Sequence, residues 1–194
     1  MLFGMVRQYN SSRRRKAAEQ TRQDILQAAL KLHAEGITEF EPLARQAGCS
    51  VATVRKHFPT KETLFQNCTR TFAETLTLPD LKQLAAIADA RQRTEASVSE
   101  LCRVHEAMFG YAWLGAQQRG NSPTLDSEMA AYEGLADAVA DIVTPAGSSR
   151  TALIRGLLDF LTYRALRQSG RLSEQAAAAQ LAATIQALTP MRSR

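Results

Sequence analysis

Between Thr38 and Phe65 the chain starts a helix three times in quick succession, and few folds accommodate that. Thr38-Glu39-Phe40-Glu41 reads as a capping box, in which a hydroxyl and a carboxylate satisfy amides left unpaired at a helix start. Pro42 follows in the first turn, where its missing N–H costs least. Gly48 stops this helix just after Ala47, and Ser50 caps a second over Val51 to His57. Pro59 ends the second, and Thr60 caps a third that begins at Lys61. Two short helices joined by Gly48-Cys49-Ser50 inside a basic segment make a helix-turn-helix.

The flanking sequence supplies what those helices pack on. Ile25, Ala28, Ala29 and Leu32 fall on one face of a helix over about 16–35, ended by Gly36. Residues 1–15 finish in Ser11-Ser12-Arg13-Arg14-Arg15 without apolar periodicity and read as a flexible basic arm. From Lys61 onward Leu64, Phe65, Cys68, Phe72 and Leu76 form one apolar stripe, and Pro79 marks its end. Residues 16–77 therefore read as a helix-turn-helix domain and 78–194 as a separate helical body. Within the body, periodicity predicts helices over about 80–90 and 94–118, one carrying Leu125, Met129, Tyr132, Leu135, Val139 and Ile142, then 149–168 and 173–188. The total is about nine helices and no strand, an all-α chain.

Charge divides at the same place. Residues 1–70 hold 12 Lys/Arg against 6 Asp/Glu, whereas residues 71–194 hold 12 against 13. A positive field confined to the first third is the electrostatic footprint of a polyanion-binding head, although a solvated basic face would look the same. Cys49, Cys68 and Cys102 are odd in number and form no CxxC pair, which argues against a disulfide framework or structural zinc and for a reducing, cytoplasmic setting. No segment approaches the roughly 20 apolar residues of a membrane span, and Met1 to Val6 is too short for a signal-peptide core. No phosphate loop, metal-ligand spacing or Ser/His/Asp set occurs, so neither an enzyme, a cofactor nor a metal is expected.

Leu43-Ala44-Arg45-Gln46-Ala47-Gly48-Cys49-Ser50-Val51-Ala52-Thr53-Val54-Arg55-Lys56-His57-Phe58-Pro59-Thr60-Lys61-Glu62-Thr63-Leu64-Phe65 resembles the DNA-binding motif of the TetR/AcrR family of transcriptional regulators, approximately I-A-x-x-A-G-V-S-x-G-T-x-Y-x-H-F-x-x-K-E-x-L. Leu43-Ala44, Ala47-Gly48, Ser50, Thr53, His57-Phe58, Lys61-Glu62 and Leu64 fall in register. Arg55 stands where the family usually has tyrosine and Ala52 where glycine is common, and the connection from Gly36 to the next helix is one or two residues short. The resemblance implies a homodimer that binds a palindromic operator, represses by default and is released by a small-molecule effector. A ligand-independent, architectural DNA-binding protein would share the same head.

The residue chemistry agrees with that implication. Ala44, Ala47, Val54 and Phe58 are expected to face inward, leaving Val51, Ala52, Thr53, Arg55 and Lys56 outward for the major groove. Val51 and the Thr53 methyl suit a thymine methyl, and Arg55 suits guanine or a phosphate. His57, Lys61 and the Arg13, Arg14, Arg15, Lys16 run suit phosphates, with Thr38 completing the candidate contacts. In the body, Cys102, His105, Met108, Phe109, Trp113 and Tyr132 are candidates for an effector pocket, against the alternative that an apolar stripe is simply core. By resemblance the last two helices pair with a second subunit. Leu153, Leu157, Leu161, Ala178, Leu181, Ala182 and Ile185 are the interface candidates, with an intramolecular core as the alternative for each.

Overall fold

A computed structural model describes residues 2–189, and among them it contains eleven α-helices and no strand. The head comprises α1 (Leu2–Ala34), α2 (Phe40–Gln46), α3 (Val51–His57) and α4 (Lys61–Ala73). Its core joins Ile25, Ala29 and Leu32 of α1 to Phe40, Leu43 and Ala44 of α2, with Val54, Phe58, Leu64 and Cys68 closing it. Val54 and Phe58 are wholly enclosed, and burying a side chain the size of Phe58 contributes about 1.5–3 kcal/mol. The restarts are made by short-range caps. Ser50 Oγ accepts from the Thr53 amide at 3.1 Å, and Thr60 Oγ1 accepts from the Thr63 amide at 3.1 Å. Gly48 adopts φ +64°, a left-handed turn that a side chain would strain.

Two local expectations for the head are corrected. The basic arm is helical: α1 begins at Leu2, with Met1 outside the described residues. Arg, Lys, Ala and Gln are good helix formers and no proline interrupts them, so the helix runs on through residues 11–20, all exposed, with no packed face there. The capping box also fails. Glu39, not Thr38, occupies the cap of α2, and no side chain satisfies its amides. The Glu39 carboxylate is turned back instead onto the Thr38 amide and hydroxyl.

The body comprises α5 (Leu81–Ala85), α6 (Ala90–Ala107), α7 (Phe109–Gln118), a 3₁₀ turn (Arg119–Asn121), α8 (Pro123–Val143), α9 (Thr151–Leu157), α10 (Phe160–Gln168) and α11 (Glu174–Leu188). Val98, Leu101 and Cys102 of α6 pack against Val139 and Val143 of α8 and Leu181, Ala182 and Ile185 of α11. Tyr163 and Arg167 of α10 are tied to α6 through Glu106, whose carboxylate receives the Tyr163 hydroxyl at 2.6 Å and the Arg167 guanidinium at 2.8 and 2.9 Å.

Nine expected helices become eleven because two of them break. The 94–118 helix divides at Met108, and the 149–168 helix divides at Leu158-Asp159. At the second break Asp159 is extended, and its Oδ1 accepts from the Leu161 amide at 2.8 Å, capping α10. Apolar spacing continues through both breaks, which is why periodicity does not reveal them. The helix from Lys61 ends at Ala73, well before Pro79.

Candidate functional site

Helix α3 presents the head's outward chemistry. Ala52, Arg55 and Lys56 are exposed, and Val51, Thr53 and His57 are half-buried. The Arg55 guanidinium lies 5.1 Å from the centre of the Phe40 ring, a cation–π contact that holds the charged head group beside α2. The Thr53 hydroxyl is engaged with Ser50 Oγ at 2.9 Å. Arg13, Arg14, Arg15 and Lys16 are exposed on α1.

Thr38 does not face outward. It is buried, and its hydroxyl accepts from Lys61 Nζ at 3.0 Å. Lys61 also meets Glu39 at 3.4 Å, so this half-exposed cation is locally paired rather than free. The Glu39 and Thr38 amides, helped by the same lysine, hold the Glu39 carboxyl below its ordinary range.

Head and body meet along a polar and apolar seam that sequence reasoning missed. The Glu62 carboxylate accepts from Ser122 Oγ and Thr124 Oγ1, each at 2.5 Å, and from the Thr124 amide at 2.9 Å. These bonds join the first turn of α4 to the start of α8 and lower the Glu62 carboxyl's affinity for a proton. Tyr111 of α7 donates to the Leu30 carbonyl of α1 at 2.8 Å. The only sequence signal was Ser122-Pro123, a cap followed by an N1 proline that marks a helix start without naming its partner.

One cavity lies in the body and another at its seam with the head. The first, of about 190 Å³, opens between the 3₁₀ turn, α8 and the α9–α10 break; His105, Tyr132, Met129 and Phe160 line it, with Arg119, Glu133, Arg155 and Asp159 among its charged groups. A second, of about 100 Å³, lies at the seam among His33, Phe65, Phe72, Met108 and Tyr111. Met129 lines both. His105 is buried and satisfied on both sides, its Nε2–H donating to the Leu158 carbonyl at 3.0 Å and its Nδ1 accepting from the Tyr132 hydroxyl. Burial drives its pKa down to about 4, so the ring is neutral near pH 7.

The six pocket candidates therefore separate. His105 and Tyr132 reach the first cavity and Met108 the second. Cys102 lies in the α6–α8–α11 core. Phe109 and Trp113 line neither of these two cavities; they flank the Arg164 guanidinium, which lies 3.9 Å from the Trp113 ring centre.

The interface candidates separate too. Leu153 and Leu161 are 53% and 51% exposed, unusual for leucine, and Leu157 and Ala178 are half-buried. Leu181, Ala182 and Ile185 are corrected: they are buried within their own chain against α6. The outward face of α11 carries Ala179, Ala183 and Ala187 instead, one per turn.

No family model matches the chain, and no curated protein does. Solved structures do. A transcriptional regulator from Rhodococcus sp. Rha1 superposes with a TM-score of 0.58 at 20% identity, over 86% of this chain and 95% of that one. The chain shares its fold, the all-α TetR type. FadR from Bacillus subtilis, solved in complex with stearoyl-CoA, matches at TM-score 0.52 and 14% identity over 87% of this chain and 97% of its own. The multidrug binding protein EbrR, complexed with imidazole, matches at TM-score 0.52 and 20% identity, covering 89% and 92%. Among the described residues no helix is long and apolar enough to cross a membrane, and no group of three or more His, Cys, Asp or Glu is placed to hold a metal.

Proposed function

We propose that the chain is a one-component transcriptional regulator of the TetR type, acting without catalysis or cofactor in the cytoplasm. It binds a palindromic operator as a homodimer, represses by default, and releases DNA when a small molecule enters the body. The observation that carries this reading is α3 itself. It is capped by Ser50, anchored by the enclosed Val54 and Phe58, and displays Ala52, Arg55 and Lys56 on a head with a two-to-one excess of basic residues. Such a helix fits the major groove, and two of them about 34–36 Å apart would read half-sites one turn apart. Engagement of the Thr53 hydroxyl by Ser50 leaves its methyl for a thymine contact. The exposed Arg13–Lys16 run adds phosphate contacts that strengthen binding without specifying sequence.

Selection from a random duplex library with the purified protein tests this, and an enriched inverted repeat is expected. Salt-sensitive binding without enrichment would instead support the architectural alternative. On the selected site, Arg55→Ala is expected to cost about 1–3 kcal/mol and relax preference at one base pair. Uniform weakening across all sequences would reduce Arg55 to a phosphate contact.

We assign the second subunit to α9 and α11, which pack on each other and present exposed Leu153 and exposed Ala179, Ala183 and Ala187. Leu153→Glu combined with Ala183→Glu is expected to give a monomer in sedimentation equilibrium. Operator affinity should then drop on the order of 100-fold, because each head would bind its half-site alone. A dimer that survives both charges would place the interface elsewhere.

A further inference from the structure

The body cavity has a charge pattern that selects among ligands. Helix α8, which forms one wall, carries Asp126, Glu128, Glu133, Asp137 and Asp141 and no Lys, Arg or His. Two guanidiniums face this helix, and both are already paired twice. Arg119 donates to Asp126 at 3.0 Å and to Glu133 at 2.6 Å. Arg155 pairs with Asp137 and, at 3.4 Å, with Asp159. Of these four carboxylates only Glu133 and Asp159 line the cavity beside the two guanidiniums; Asp126 and Asp137 stand outside it, exposed, so the negative surplus belongs to the surface around the opening. An anionic ligand would have to displace a resident carboxylate from an arginine, whereas a cation meets excess acceptor oxygens.

The floor points the same way. Met129, Tyr132, Ala136 and Phe160 are buried and largely apolar. The polar atoms of His105 and Tyr132 are bonded to each other and to the Leu158 carbonyl, so they hold no unused donor for a neutral polar guest. The aromatic faces of Tyr132 and Phe160 favour positive charge. Size is bounded as well. A cavity of about 150 Å³ takes a benzene ring, and this one is about 190 Å³.

We infer that this cavity binds a compact organic cation, an apolar body of about one ring bearing an ammonium, amidinium or guanidinium group, with the ring over Tyr132 and Phe160 and the charge at the Glu133–Asp159 rim. The inference rests on the regulator reading only for its consequence, since binding would occur in the protein alone. Because the α9–α10 break forms one wall, occupancy would act on the segment that also carries the exposed Leu161.

Calorimetric titration of the full chain with benzamidine, benzamide and benzoate separates the possibilities. Benzamidine, the cation, is expected to bind at least tenfold tighter than either isostere. Glu133→Gln and Asp159→Asn are each expected to weaken benzamidine at least tenfold while leaving benzamide unchanged; the asparagine still offers an oxygen to cap α10. Equal binding of benzamide, tighter binding of benzoate, no binding of any of the three, or insensitivity to both substitutions would overturn the assignment. Since the titration contains no DNA, failure to select an operator would leave it readable. An enriched operator with no cation binding would overturn the ligand class alone.

Discussion

Lowering the pH from 7 to 4 is expected to remove about 6 kcal/mol from the folding free energy, a large share of the roughly 5–15 kcal/mol that native proteins have. Two buried histidines are responsible, one in each half of the chain. His33 is 3% exposed beside the Phe65 ring, and burial, reinforced by the charge of Lys61, lowers its pKa to about 4. His105 is 2% exposed, and burial lowers it to about 4 as well. Unfolded, each would titrate near 6.5, so between these values the unfolded chain binds protons that the folded chain refuses. The stabilisation is fully present above pH 6.5 and is lost as pH falls toward 4, at about 3 kcal/mol for each ring. Urea unfolding midpoints at pH 7, 5.5 and 4.5 measure it. The window separates histidine from carboxylate effects, because Glu62 and Glu106, whose pKa values are lowered on folding, begin to withdraw stability only below their ordinary range near 4.5. A flat profile from 6.5 to 4.5 would show that both rings accept protons inside the fold.

The features legible in the sequence were those made by neighbours in the chain. Ser50 caps the amide three residues on, Thr60 does the same, and Gly48 turns the backbone by itself, so α3 has its expected bounds, Val51–His57. Phe58 and Val54 were expected inside and are inside. What periodicity concealed was decided at a distance. Residues 11–20 of α1 are exposed good helix formers without the apolar stripe that signals a packed helix. Helix α11 is alanine-rich on both faces, so spacing could not tell that Leu181, Ala182 and Ile185 meet α6 while Ala179 and Ala183 face out. The charged groups of the first cavity, Arg119, Glu133, Arg155 and Asp159, come from the 3₁₀ turn, α8, α9 and the break that follows it. No local motif joins them.

Gly110→Ala is expected to destabilise the protein by about 1–3 kcal/mol even though alanine favours a helix by up to about 1 kcal/mol over glycine. The reason lies at the seam. A methyl at Gly110 would stand 2.0 Å from the Ala34 carbonyl oxygen and 2.7 and 2.8 Å from the Ala34 carbonyl carbon and Cα. All three are backbone atoms at the end of α1, so no side chain can swing aside and the two helices must part. Parting them pulls on the next contact along, the Tyr111 bond to the Leu30 carbonyl. The Glu62 clasp on α8 and the packing of Phe65 on Leu114 and Leu125 would then carry more of the coupling between head and body. Gly134→Ala is the control, because a methyl there meets nothing within 4 Å in the middle of α8. It is expected to raise stability by about 0.5–1 kcal/mol, the opposite sign for the same chemical change. Urea denaturation of both variants decides the matter: equal gains would mean that α1 and α7 can move apart freely.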